Sequence, residues 1–387
     1  MKILFVCGAG YVFGKEVVTL DLALGLRARG HDVHFATSTW HDGDMVSRLD
    51  AAGIPDTALP LGFISKRLVA WHMTWEQVTR LPALWRGTHA LVASFRPHVV
   101  VQSAYHHALL LSVVPLGVPV MFHAHEAYAP TRWMRTLFRW LDWRVSRFVA
   151  VSRFVANALQ GVGVEGARIA VVHNGVDGMR HGTPRPAPDA QAPRRDDAGG
   201  LTIGIVGQVT EGKGHADLVE ALAILKARGV SATCRIYGSG TPAYRAHLEA
   251  LIERTGVGAM IEWRGFVRDI HDIYEGLDVC VVPSRSNDPF PLSALEPALW
   301  QLPVVATRRG GLPEAIEDGR SGFLVDACAP AQLAAALERL ARDPALRQQM
   351  GRTAHRHVTE RFSVPAMAAG FEQEIRTALA AFLESES

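Results

Sequence analysis

Three segments of this chain have residue types and spacings suited to chemistry. The sharpest reads Pro283-Ser284-Arg285-Ser286-Asn287-Asp288-Pro289-Phe290-Pro291-Leu292-Ser293-Ala294-Leu295-Glu296 and follows an apolar, β-branched run. Carboxylates accept hydrogen bonds from vicinal hydroxyls, so Asp288 and Glu296 suit two ends of one polyol ligand. The spacing predicts a helix from about Pro291, with Asp288 in the loop before it and Glu296 about a turn inside. A surface glutamate fits less well, because Ala294, Leu295, Pro297, Ala298, Leu299 and Trp300 surround it. The second segment, Gly207-Gln208-Val209-Thr210-Glu211-Gly212-Lys213-Gly214, sets a lysine on a glycine-flanked loop ahead of a helix. A mobile cation beside free backbone N–H groups suits a diphosphate, and a solvated loop lysine is the equal alternative. The third, Gly8-Ala9-Gly10-Tyr11-Val12-Phe13-Gly14, is a G-x-G-x-x-x-G loop after the first strand. Glycines let backbone approach a phosphate at a helix N-terminus. A dinucleotide site would want an acid about 20 residues further on, but the second strand ends in Ala36-Thr37-Ser38-Thr39. That argues against a nicotinamide dehydrogenase. It leaves a ligand-free turn, or a loop touching a diphosphate held mainly by another domain.

These loops need strands and helices to position them. Apolar, β-branched runs at Lys2–Cys7, Val33–Thr37, Val99–Gln102, Pro119–His123 and Phe148–Val151 read as strands of one half. Thr202–Val206, Thr233–Tyr237, Ile261–Trp263, Val279–Val282 and Val304–Ala306 read as strands of a second. Helices such as Glu16–Arg29, His215–Arg228 and Ala243–Arg254 alternate with them, which predicts βα units and parallel sheets. The expected fold is α/β: two doubly wound Rossmann-like domains facing across a cleft, with ligands outside the carboxyl ends of the strands. The predicted bounds are 1–177 for the first domain, 178–200 for a linker and 201–363 for the second. Four prolines and the run Arg194-Arg195-Asp196-Asp197 mark the linker. After Ser363 an apolar helical stripe through about residue 385 is expected to pack on either domain.

Composition narrows the classes. The chain has 387 residues, 48% hydrophobic and 20% charged, enough to fill two cores. With 40 Lys+Arg against 38 Asp+Glu the net charge is +2, too balanced for a dedicated nucleic-acid binder. Cys7, Cys234, Cys280 and Cys328 lie far apart without a C-x-x-C pair, so a zinc ribbon or disulfide scaffold is not expected and a reducing, cytoplasmic setting is. The first residues make too short an apolar run for a signal peptide. Pro97–His125 lacks charge, but Pro115, Gly117 and Pro119 divide it, and it reads as strand, helix, strand.

Taken together, the motifs resemble the retaining, nucleotide-sugar-dependent glycosyltransferases of family 4, which have the GT-B fold. The resemblance is strongest over Phe148–Asp177 and Leu201–Leu324. It rests on Val151-Ser152, Asn174-Gly175-Val176-Asp177, Lys213-Gly214, Gly238-Ser239-Gly240, Gly265-Phe266-Val267, Pro283-Ser284, the Asp288…Glu296 pair and Leu302-Pro303-Val304-Val305-Ala306-Thr307. It implies that Lys213 binds the donor diphosphate, that Glu296 holds the ribose, and that Asp288 stands near the donor sugar. Gly14 would contact the donor from the first domain, with Gly238 and Gln208 beside it. Backbone of Pro289, Phe290, Pro291, Leu292 and Ser293 would line sugar and phosphates, and Phe266 and Val267 the base. His125 would stand at the reacting sugar; a satisfied core histidine is the lesser alternative. Glu16 and Glu126 are assigned to the acceptor side. The implied donor is a UDP- or GDP-sugar, with no other cofactor and no metal. The one D-x-D, Asp42-Gly43-Asp44, lies in the first domain, where Asp44 is expected to cap a helix.

The chain departs from the family pattern at three places. Asp288 replaces a glutamate, Gln208 an arginine that assists the lysine, and Phe13 the first glycine of G-G-x-E. A nucleotide-sugar epimerase or hydrolase of the same fold, or a silent nucleotide-binding homologue, therefore stays open beside the transferase. The acceptor is a saccharide, a lipid-linked or a small-molecule hydroxyl. Arg132–Arg147 carries five Arg, one Asp and three Trp. The default reading is core tryptophans under solvated arginines. The other is a basic aromatic helix at the inner face of a membrane, with Trp71, Trp75 and Trp85 of Leu68–Trp85 adding to it.

Overall fold

A computed structural model of the chain describes residues 1–8, 11–40, 42–62, 71–113, 115–177 and 200–386. The expected linker lies almost wholly outside these residues, as do Ala9, Gly10 and the start of Leu68–Trp85. Two compact units are formed, Met1–Gly175 with Val364–Ser387, and Val176–Ser363.

Unit 1 runs β1 (Lys2–Cys7), α1 (Gly14–Ala28), β2 (Asp32–Ser38), α2 (Asp44–Ala51), β3 (Asp56–Leu59), α3 (Trp71–Phe95), β4 (Val99–Gln102), α4 (Tyr105–Ser112), β5 (Val120–Ala124), α5 (Arg132–Arg144), β6 (Arg147–Ala150), α6 (Arg153–Gly161) and β7 (Ile169–Val171). Unit 2 runs β8 (Leu201–Val206), α7 (His215–Ala227), β9 (Ala232–Tyr237), α8 (Pro242–Thr255), β10 (Ile261–Gly265), α9 (Ile270–Tyr274), β11 (Val279–Val282), β12 (Val304–Thr307), α10 (Leu312–Ala315), β13 (Gly322–Val325), α11 (Pro330–Arg342) and α12 (Pro344–Arg361). The last helix, α13 (Val364–Glu386), returns to unit 1.

Among the described residues the strands form two parallel sheets, ordered β3-β2-β1-β4-β5-β6-β7 and β10-β9-β8-β11-β12-β13. Central strands covered on both faces have no polar face to spare, hence the unbroken apolar runs of β1, β4 and β11. Strand order reverses between β1 and β4 in one sheet and between β8 and β11 in the other. Those are the crevices where doubly wound sheets place ligands.

The helix α13 is seated by close approach and by charge. A Cβ on Gly25 of α1 would lie 2.8 Å from the Cβ of Ala368, so only glycine lets the two helices meet there. Phe371 and Ile375 are fully buried, each worth about 1.5–3 kcal/mol in transfer terms. Glu372 accepts from Arg29 at 2.5 Å and Arg376 at 2.6 Å, and Glu374 from Arg147 at 2.7 Å.

Two local readings change. Beyond Pro291 there is no α-helix but two 3-10 turns, Leu292–Ala294 and Glu296–Trp300. Pro297 has no N–H to donate to an upstream carbonyl, which stops α-helical bonding across the segment. Asp44 is the first residue of α2 and not its cap. Gly43 occupies the cap position, the Asp42 carboxylate accepts from the Asp44 N–H at 3.0 Å, and Asp44 pairs with Arg48 at 3.2 Å. All four cysteines are free. No helix among the described residues is long and apolar enough to cross a membrane.

Candidate functional site

In unit 2 the loops leaving β8 and β11 are fastened to each other. Backbone N–H groups of Arg285 and Ser286 both donate to the Gly212 carbonyl, at 2.9 and 3.1 Å. Gly214 has a left-handed φ of 73°, and a Cβ there would lie 1.8 Å from the Pro283 carbonyl oxygen. A side chain would therefore push the loops apart. The third tie is ionic. Arg285 forks onto Asp217 in the first turn of α7, with Nε and Nη2 donating at 2.9 and 2.6 Å. Asp217 is buried, and the Arg285 guanidinium is pinned in its charged form by hydrogen bonds to that carboxylate.

These ties bring Lys213 Nζ to 2.5 Å from Asp288 Oδ2, though 75 positions separate the two residues. Asp288 is held from behind as well. Its carbonyl accepts from Gly311 N–H at 2.8 Å, and Gly310, with φ +57°, comes so near that a Cβ would lie 2.0 Å from that oxygen. The lysine remains about a third exposed while the carboxylate is mostly covered, so the cation is the partner left accessible to an incoming anion. Glu296 is buried and its Oε2 accepts from the Tyr274 hydroxyl at 2.8 Å. One oxygen is thus fixed by the protein. His215, next to this loop, is pushed down to about 4 by burial and stays neutral near pH 7.

The remaining donor-side positions also lie in unit 2. A Cβ on Gly238 would meet the Gly207 carbonyl at 1.9 Å, and Gly238 N–H donates to Gly265 at 2.7 Å. The ends of β8, β9 and β10 are so tied. Phe266 follows, 69% exposed, with Val267 half-buried beside it and Gln208 exposed. The Phe290 ring is buried edge-on against Phe362. Pro289, Pro291, Leu292 and Ser293 are half-buried.

Unit 1 holds a cavity of about 500 Å³ at its own strand-order reversal. Gly8, Lys15 and Glu16 line it from the β1–α1 segment, Ser103 from the end of β4, His106 and His107 from α4, and His125 and Glu126 from the end of β5. Tyr11, Phe13 and Trp40 add aromatic faces. A Cβ on Gly8 would strike the His107 ring at 2.2 Å. Glu16 is buried; its carboxylate accepts from Phe13 N–H at 3.0 Å and faces Lys15 at 3.4 Å, so it fixes the loop at the start of α1. Glu126 is exposed at the rim. Gly14 opens α1, with nothing within 4 Å of where its Cβ would be.

His125 Nε2 is 3.1 Å from His123 Nδ1, and both rings are buried. Burial pushes His123 down to about 3 and His106 to about 4, and holds His125 and His107 well below the usual imidazole range. These are neutral imidazoles, suited to hydrogen bonding rather than to holding charge.

The structure therefore joins Lys213 to Asp288 within unit 2, with Glu296 on the following turn, and gathers His125, Glu16 and Glu126 around one cavity within unit 1. Arg285, Asp217 and Tyr274 escaped the reading of the sequence. Their partners lie 68 and 22 positions away, and such pairings leave no local pattern. Lys15 and Trp40 escaped it too; the sequence offers no sign that they share a cavity. Among the described residues no three His, Cys, Asp or Glu side chains gather as a metal-binding group.

The family model "Glycosyltransferase Family 4" matches residues 13–180, and "Glycosyl transferases group 1" matches residues 189–357. A D-inositol 3-phosphate glycosyltransferase of Paenarthrobacter aurescens is 34% identical over 97% of this chain and 96% of that protein. Its namesake from an Arthrobacter species is 37% identical over 45% of this chain and 42% of that protein, less than half of either. Among solved structures, Anabaena Alr3699/HepE in complex with UDP-glucose has a TM-score of 0.78 at 21% identity, covering 98% of this chain and all of that one.

Proposed function

The chain belongs to glycosyltransferase family 4 and has the GT-B fold, and we propose that it transfers a hexose from a nucleoside-diphosphate sugar to an acceptor hydroxyl, with retention at the anomeric carbon and without a metal. One observation carries this reading: Lys213 and Asp288, from loops at the ends of adjacent strands, are stapled into contact at the switch point of unit 2. An accessible cation there suits a diphosphate, and the neighbouring carboxylates suit the hydroxyls of a ribose and a sugar.

In this account the donor diphosphate takes Lys213 away from Asp288. The freed Asp288 carboxylate accepts from hydroxyls of the donor sugar, and Glu296, oriented by Tyr274, from the ribose. Departure of the diphosphate builds negative charge on the leaving oxygen. Lys213 and backbone N–H groups of the donor loops stabilise it by preorganised electrostatics. The leaving phosphate accepts the acceptor's proton on the same face, which gives retention. Neutral His125, in the unit 1 cavity, suits hydrogen bonding to a sugar rather than the role of base. The acceptor enters the unit 1 cavity, whose aromatic faces suit the apolar face of a ring and whose polar groups suit its hydroxyls. UDP and GDP are the first donor nucleotides to try; a solved neighbour bound to UDP-glucose supports the former. Conversion of the donor without an acceptor would instead mark an epimerase or hydrolase.

The test is a reaction of UDP- and GDP-hexoses with a panel of saccharide, lipid-linked and polyol acceptors, in excess chelator. The expected product has the anomeric configuration of the donor, by proton NMR. Turnover with inversion, or only on adding magnesium, overturns the corresponding part of the proposal.

A further inference from the structure

The outer face of α5 presents a surface that neither the core nor the sugar chemistry uses. Leu137, Phe138 and Leu141 point inward and are buried, and Phe138 packs against Phe122, Tyr128 and Phe148. A helix anchored so firmly on one side ordinarily shows a polar face to water. Here Trp133, Trp140 and Trp143 are 47%, 38% and 69% exposed on that face. The expectation of core tryptophans is therefore wrong: the inward stripe is already filled by Leu and Phe.

The polar atom of Trp140 is settled within the fold, its Nε1 donating to Ser112 Oγ at 2.9 Å. The neighbouring Val113 is 47% exposed and extends the apolar patch. Trp140 and Trp143 meet edge to face at 5.6 Å, and the Arg144 guanidinium lies 4.3 Å over the Trp143 ring. Around them Arg132, Arg135 and Arg139 are exposed, and no ion pair engages any of the three among the described residues. The acid of the helix, Asp142, faces Arg168 at 3.3 Å instead. Exposed indole rings, that of Trp140 with its polar edge settled, beside guanidiniums that no carboxylate engages, complement a surface with an apolar interior and anionic headgroups.

We propose that the outer face of α5 docks this protein on an anionic lipid bilayer, with Trp133, Trp140 and Trp143 at headgroup depth and Arg132, Arg135 and Arg139 on the phosphates. Charge complementarity selects this occupant over a second copy of the chain, which would bring like charges together. The proposal does not depend on the donor or the acceptor. Docking would set the adjoining cavity, lined by His125 and Glu126 just ahead of α5, near the membrane surface.

The test is flotation of the full chain with vesicles of phosphatidylcholine alone, or of phosphatidylcholine with phosphatidylglycerol. The wild type should float with the anionic vesicles only, and lose this in about 1 M salt, where the Debye length falls to about 3 Å. Each arginine near an anionic surface contributes roughly fivefold, so replacing Arg132, Arg135 and Arg139 by Gln together should lower partitioning by about 100-fold. Trp133→Ala with Trp143→Ala should lower it roughly tenfold. Both variants should keep the wild-type melting temperature and nucleotide response, which separates docking from folding and from the donor site. Wild type that stays behind with anionic vesicles at low salt overturns the proposal, as do variants that float like wild type. A concentration-dependent dimer abolished by Trp143→Ala, without flotation, assigns the patch to a second copy and overturns it equally.

Discussion

At the scale of single residues, the Lys213–Asp288 contact sets two opposite expectations. Lys213→Ala removes the accessible cation and should lower kcat/KM about 100-fold or more, the usual loss for one preorganised group at a developing charge. Stability should barely change, because the pair is partly exposed. Asp288→Asn instead releases the lysine. Affinity for the free nucleoside diphosphate should rise about fivefold while sugar transfer falls, as titration calorimetry and initial rates would report. Weaker nucleotide binding in this variant would mean that Asp288 positions Lys213 rather than competing for it. Arg285 acts one step further back. Arg285→Ala leaves buried Asp217 without its forked donor, at a cost of roughly 2 kcal/mol in a denaturant midpoint. It should also raise KM for the donor, with Arg285→Lys restoring part of both. Lys213, Asp288 and Glu296 were legible because a lysine between glycines and two acids in an otherwise apolar segment stand out locally. Arg285, Asp217 and Tyr274 were not, because their meaning lies in contacts across the fold.

At the scale of elements, the two glycine-bearing loops matter more for closeness than for freedom. Gly214→Ala must find room for a Cβ placed 1.8 Å from a backbone carbonyl at a φ of 73°. It should cost about 2–3 kcal/mol and separate the loops. The variant should lose nucleotide response at temperatures where the chain is still folded; an unchanged response would show that the loop contact does not position Lys213. The same physics decided which elements could be read. Central strands β1, β4, β8 and β11 are buried on both faces and show it in their composition. The strands missed, β3, β7 and β13, all lie at sheet edges. Asp56-Thr57-Ala58-Leu59 is short and half polar, and Gly322–Val325 opens on a glycine, so neither has the apolar run that marks a buried strand. The turns after Pro291 were misread for another reason. Helical spacing of apolar residues is present there, but Pro297 removes a donor that spacing alone does not register.

At the scale of the whole molecule, unit 1 carries a cost in acid. His106 and His123 titrate at about 4 and about 3 in the folded chain, and His107 and His125 are lowered in the same direction, each mainly by burial. Unfolded, each titrates at about 6.5. Below that pH the unfolded chain takes up protons that the folded chain refuses, so stability is complete above about pH 6.5 and falls as pH is lowered toward 4. The melting temperature should drop between pH 7 and pH 5, before carboxylates protonate; a flat profile would contradict neutral burial of these rings. The two-unit plan was legible in the alternation of βα segments, and the return of α13 to unit 1 follows from contacts such as Gly25 with Ala368. The central claim is that unit 2 holds a nucleoside diphosphate on Lys213. It is tested most directly by thermal shift with UDP, GDP, ADP, CDP, dTDP and NADH on wild type and Lys213→Ala. A ligand at about 100 times its Kd should add about 2.7 kcal/mol to wild type. The account predicts a shift with one of the diphosphates that is lost in Lys213→Ala. A shift with NADH alone, or one that survives the loss of Lys213 unchanged, would contradict it.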